Sequence, residues 1–157
     1  MEFREHLLKM VSYEEYANGL WLDYLEDVAS KPNGGQFRAE AEKWLWHICG
    51  CYNHWFNWLE DSQANMTEEL RTDLGTQYAR MKAFIGTCDL EQARTRSFPE
   101  YGTWTWTTRD VILHTLTHGG YHRGHIRSIA ESQTLADWPD TDWEEFSGVK
   151  VAPPVNS

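Results

Sequence analysis

The sequence predicts an all-α fold, a four-helix bundle carrying one short β-hairpin between its third and fourth helices. Apolar residues recur at helical spacing over four long stretches. Clusters of Gly, Pro, Asn and Ser punctuate them. Between the third and fourth stretches the period changes to a Thr-rich, strand-like pattern around a Pro/Gly turn.

The first helix covers about residues 3–28, with Leu7, Leu8, Val11, Leu20, Leu22 and Leu25 among its apolar positions. It stops before Ser30-Lys31-Pro32-Asn33-Gly34-Gly35. The second covers about residues 36–61 and carries Trp44, Trp46, Trp55 and Trp58. Asn65-x-x-Glu68 has the form of a capping box that opens a third helix, continuing to about residue 85 before Gly86. Residues 95–97 and 103–107 are strand-like and flank the turn Phe98-Pro99-Glu100-Tyr101-Gly102. Thr107-x-x-Asp110 opens the fourth helix, over about residues 108–132. The remainder, with Trp138-Pro139-Asp140-Thr141-Asp142-Trp143 and Pro153-Pro154, reads as an irregular tail lying on the bundle. With 157 residues, no repeat and no low-complexity segment, the chain reads as a single domain, 1–157, able to bury a real core.

Composition narrows the function. A net charge of −10 and the absence of any Lys/Arg-rich stretch argue against a nucleic-acid partner, because gripping phosphates needs a basic face. The N-terminus is charged from Glu2 onward, unlike a signal peptide. No apolar run approaches the roughly 20 residues of a membrane span. The three cysteines, Cys49, Cys51 and Cys88, are few and odd in number, which suits a reducing compartment. A cytoplasmic protein with no membrane partner is expected. The nine Trp read first as core.

The histidines carry the chemistry. His114, His118, His122 and His125 lie on the fourth helix within an arc of roughly 80°, at about 100° per residue. They share that face with Val111 and Ile129, so the stripe is expected to point inward. Buried imidazoles need partners for their nitrogens, and one metal ion satisfies several at once. Histidines four apart on a helix suit bidentate coordination. A third ligand must come from elsewhere, and the second helix offers His47 and His54 on the face of Trp44, Ile48, Cys51 and Trp58. Those two are about 10 Å apart along the axis, too far to share an ion. Spacing does not choose between them, nor between His114/His118 and His118/His122.

Other chemistries lack their residues. There is no Glu-x-x-His pair for a di-iron bundle, no His-Glu-x-x-His, no Gly-rich phosphate loop and no Gly-x-Ser-x-Gly turn. Cys49 and Cys51 point about 200° apart on a helix and cannot grip one ion, with Cys51 expected toward the core and Cys49 away from it.

Three segments resemble the DinB-like superfamily of metal-binding four-helix bundles. Tyr13-Glu14-Glu15-Tyr16-Ala17-Asn18 resembles its first-helix signature. Leu45-Trp46-His47 followed by Trp55 resembles the second-helix pattern. His118-Gly119-Gly120-Tyr121-His122-Arg123-Gly124-His125-Ile126 resembles its His-x3-His-Arg-Gly-Gln element, with His125 in place of the usual Gln. Pro139-Asp140-Thr141-Asp142-Trp143 resembles a segment near the family's C-terminus.

The resemblance implies one divalent transition metal, zinc or nickel, held by His47, His118 and His122, leaving His54, His114 and His125 as neighbours. It further implies a homodimer and a low-molecular-weight thiol as co-reactant, with S-transfer to a small-molecule electrophile. Three neutral His ligands leave a tetrahedral ion one open position, as in catalytic zinc sites. A thiol entering there becomes the nucleophilic thiolate. The alternative is a non-catalytic stress-response or interaction protein in which the ion is structural. His125 and Arg123 are the candidate catalytic residues, although Arg123 suits an ion pair with an acid on another helix. Trp44, Cys51, His54, His114, Gly119 and Tyr121 are the candidate pocket, with Gly119 and Gly120 giving either room for substrate or close helix packing.

Overall fold

The computed structural model of the chain describes residues 2–148. Its elements in order are helices α1 (Phe3–Val28), α2 (Gly34–Leu59) and α3 (Leu70–Thr87), strands β1 (Ala93–Phe98) and β2 (Gly102–Thr107), then α4 (Thr108–Ser132) and α5 (Trp143–Ser147). Helices α1 and α2 touch each other, and each packs against both α3 and α4. Their inward faces build one core in which Trp21, Phe37, Tyr52, Phe56, Met81 and Ile112 are fully buried. No helix among the described residues is long and apolar enough to cross a membrane.

The boundaries follow from local chemistry. Helix α2 begins at Gly34, two residues before the expected start, because the α1–α2 turn brings that backbone against the end of α1. A Cβ at Gly34 would lie 1.7 Å from the Val28 carbonyl oxygen, so only glycine fits. Helix α3 begins later than the Asn65-x-x-Glu68 reading placed it. Glu68 adopts a left-handed backbone, φ 74°, which ends any helix there. Glu69 is the cap instead, accepting from the Thr72 amide at 2.7 Å. Helix α4 opens with the expected capping box, in which the Thr107 and Asp110 side chains each serve the other's amide.

Strands β1 and β2 pair antiparallel in the register Ala93↔Thr107 to Phe98↔Gly102, with Gly102 at φ 81° in the turn. Thr95 pairs with Thr105 and Ser97 with Thr103 through their hydroxyls, at 2.9 and 2.8 Å. Alternate residues Arg94, Arg96 and Phe98 are half-buried, so that face of the hairpin meets the bundle. The tail lies against α1 and contains the short α5. Tyr13 donates to the Thr141 carbonyl at 2.6 Å and meets Trp143 edge-on at 5.1 Å. Pro153-Pro154 lies outside the described residues.

Two burial expectations are corrected. Cys49 is fully buried in the core and Cys51 only half-buried, the reverse of the reading from the histidine face. Helix α2 packs against three neighbours, α1, α3 and α4, so its buried arc extends around to Cys49 and to Tyr52, whose ring meets Tyr78 of α3 at 6.1 Å. The histidine stripe of α4 does not point squarely inward either. Thr115, Leu116, Gly119, Arg123 and Ile126 form the buried face, and His122 alone of the four histidines is buried at its edge.

One buried polar cluster ties α1 to α4. Arg123 donates to both carboxylate oxygens of Glu14, at 2.6 and 2.7 Å, and to Asn18 Oδ1 at 3.0 Å. Tyr52 donates to Glu14 at 2.5 Å, and Asn18 donates to Tyr78 at 2.8 Å. Burial alone would lower the Arg123 pKa, but the hydrogen bonds and charge of Glu14 outweigh it and raise it. Gly119 closes the same cluster: a Cβ there would lie 2.1 Å from Glu14 Oε2 and 2.7 Å from the Tyr52 hydroxyl.

Breaking such a pair strands a buried charge, so Glu14→Gln is expected to lower unfolding free energy by about 3–5 kcal/mol. Arg71→Gln, which loses only exposed partners in Asp23 and Glu26, is expected to cost at most about 1 kcal/mol. Gly119→Ala is expected to cost about 1–3 kcal/mol through overpacking. Urea denaturation measures all three, and equal losses in the Glu14 and Arg71 variants would contradict the assignment.

Candidate metal centre

The site forms where α2 and α4 cross, because the residue types that cannot enter the core collect at the edge of that seam. Helix α4 delivers His118 and His122 from successive turns, and α2 delivers His47 from the facing side. Their Nε2 atoms converge, with His118 to His122 at 2.9 Å and His118 to His47 at 3.2 Å. All three ligand atoms lie within 4.8 Å of one another, and this group can hold a metal ion. Imidazole nitrogens bind zinc at 2.0–2.1 Å, which puts two of them about 2.9–3.4 Å apart at angles between square and tetrahedral. The spacing fits one ion without rearranging a helix.

Burial is graded across the group. His122 is buried, His118 half-buried and His47 exposed. Burial and the neighbouring His118, His47 and His125 push the His122 pKa down to about 4. Burial, then His114 and His47, lowers that of His118. Both rings are therefore neutral near pH 7, the form that ligates. Trp44 stacks on His122 with centroids 4.9 Å apart and 21° between planes, fixing that ring's orientation. His122 Nδ1 is buried with no hydrogen-bond partner.

The other expected site residues fall into two groups. His54, His114 and Cys51 line a cleft of about 390 Å³ with Gly50, Trp55 and the ligands His47 and His118. His54 does not join the three nitrogens. It meets Arg96 of β1 at 2.9 Å, and burial with the Arg96 charge lowers its pKa, so its Nε2 accepts from the guanidinium. His125 lies at the Trp44 edge, 4.6 Å between centroids, and exposed Tyr121 covers His122 at 5.0 Å. Gly119 and Arg123 do not reach the cleft. They face α1, so Gly119 serves close helix packing, and the candidate catalytic role of Arg123 is replaced by the ion pair with Glu14.

Arg96 and Gly50 were not foreseen as site residues. Arg96 has a signal in the strand period, since it shares a face with Phe98 and Trp104. Gly50 has none, because its place in the cleft depends on where α4 crosses α2.

A model of the DinB family matches residues 4–131, which covers all four long helices, and the chain belongs to that family. Neither a curated protein nor a solved structure gives a significant match.

His47→Ala, His118→Ala and His122→Ala are each expected to reduce cobalt(II) uptake by the chelator-stripped protein below about a tenth of an equivalent. His54→Ala and His114→Ala are expected to keep the wild-type stoichiometry. Loss of uptake in either of the latter two, by spectroscopic titration, would redraw the ligand set.

Proposed function

We propose that this member of the DinB family holds one divalent transition-metal ion, zinc or nickel, at His47, His118 and His122, and activates a small thiol there for S-transfer to an electrophile. The single observation that carries the reading is the convergence of three Nε2 atoms at 2.9 and 3.2 Å beside an open cleft. A hydrogen-bonded chain of imidazoles explains it less well. His118 Nε2 faces two other Nε2 atoms, and a ring nitrogen carries either one proton along one line or one lone pair. One cation at the common point satisfies all three.

When bound, the ion supplies an electrophilic position that lowers the pKa of an incoming thiol. The chain's own residues set the rest. Trp44 holds the His122 ring, and the cleft in front of His47 and His118 gives a substrate access without opening the bundle. Cys51 lines that cleft, but burial pushes its thiol up to about 11, so it is protonated near pH 7 and a poor nucleophile. In this reading the reacting thiol comes from solution. In the transfer the S–H bond breaks and its proton passes to solvent. The sulfur electron pair forms the new bond to the electrophilic carbon, and the leaving group departs with the electrons of the bond that breaks. The same reading takes a small-molecule substrate, a homodimer and a cytoplasmic location.

A second reading has a specific observation behind it. The ligands come from two helices, so an ion there would also staple α2 to α4. Elemental analysis of untagged protein is expected to give about one equivalent of transition metal per chain, the zinc or nickel signal naming the ion. A panel of bacillithiol, mycothiol, glutathione and coenzyme A against a generic electrophile is expected to show turnover with one thiol. His118→Ala should reduce it by more than about a hundredfold with helical circular dichroism unchanged. Metal without turnover, together with a fall in Tm on chelation, would establish the staple.

A further inference from the structure

The hairpin and the two ligand-bearing helices enclose a second space that the three histidines leave unused. It is a cavity of about 450 Å³ walled by Trp55 of α2, Phe98, Tyr101, Trp104 and Trp106 of the hairpin, and Val111 and His114 of α4. That volume lies in the ~300–1,000 Å³ range of small-molecule sites. Trp104 and Trp106 stack with planes 4° apart, while Trp55 and Phe98 meet Trp106 edge-on at 6.3 and 6.2 Å. Rings presented in both orientations match the face and edge of a flat aromatic guest. No Asp, Glu, Lys or Arg is among the lining residues, so these walls favour an uncharged ring over a charged group.

The cavity adjoins the cleft of the metal centre. Trp55 and His114 line both it and the cleft in front of His47 and His118. Arg96 holds the shared wall in place. Its guanidinium lies 5.4 Å over Trp55, 5.6 Å over Trp58 and 5.1 Å over Phe98, pinning the hairpin to α2. Trp104 and Tyr101 remain 51% and 73% exposed, so the core does not account for their presence on this wall.

We propose that the cavity binds the ring of a neutral aromatic substrate whose reactive end reaches past Trp55 and His114 to the three-histidine group. The ring site stands on the cavity itself. The destination of the reactive end rests on the metal-dependent reading above.

The test uses 4-fluorobenzyl alcohol as the probe, followed by fluorine NMR with the full chain, chelator-stripped and then cobalt(II)-loaded. Stripped wild type is expected to broaden the probe signal saturably. Trp104→Ala is expected to weaken binding by roughly threefold to tenfold, while Trp138→Ala, toward the other end of α4, leaves it unchanged. Loaded wild type is expected to add paramagnetic relaxation to the bound probe, and His118→Ala to abolish that addition while still binding the ring. Absence of saturable binding, or equal binding by Trp104→Ala, would overturn the proposal. Cobalt uptake without enhanced relaxation would overturn the connection between the two spaces. Probe binding that weakens as protein concentration rises would show a second copy covering the cavity, and would overturn the proposal as well. Ring binding by a wild type that takes up no cobalt would overturn the metal reading and leave the ring site standing.

Discussion

The buried contact between Glu14 and Arg123 is the constraint on which the rest of the molecule depends. Two fully desolvated charges tolerate little displacement, since a shift of about an ångström would leave each without its counterion. The contact therefore fixes both the rotation of α4 about its axis and its height along α1. Arg123 directly follows His122, so the same rotation that aims the guanidinium at α1 aims the imidazole at the α2 seam. Gly119 lets the two backbones approach closely enough for the pair to form. What sets the three-histidine geometry thus lies about 100° around α4 from His122 itself.

This arrangement separates two roles that are adjacent in sequence. The α1 side of α4 is a closed polar network whose members bond to one another. The α2 side is a row of imidazoles whose nitrogens have few protein partners, graded from buried His122 to exposed His47. Three imidazole nitrogens that converge on one point, beside a network that ties α4 to α1 by hydrogen bonds, mark where a ligand can act without loosening the fold.

Much of this was legible in the sequence where the causes are local. The fourth helix could be read to its first residue because Thr107 and Asp110 cap each other three positions apart. The grouping of His118 with His122 and His47 rested on resemblance, since spacing alone treats His114 and His54 as equals. What could not be read depends on long-range or conformational choices. Glu68 and Glu69 look alike in sequence, and only the left-handed backbone of Glu68 makes Glu69 the cap. The orientation of Cys49 and Cys51 depends on how many neighbours α2 has. Arg123 called for an acid, but the sequence holds many, and Glu14 is selected by a contact spanning 109 positions.

The exposure of His47 bears on supply rather than on reactivity. A centre sealed inside a bundle fills only while the chain folds or when it opens, so its occupancy records the metal present at synthesis. Here one ligand residue of the three is exposed while the other two are held by α4. An arriving ion could bind His47 first and then settle onto the pair behind it, and could leave by the same route without unfolding. Occupancy of such a rim site would follow the free metal of its surroundings from moment to moment, making the identity of the ion a property of the milieu as much as of the chain.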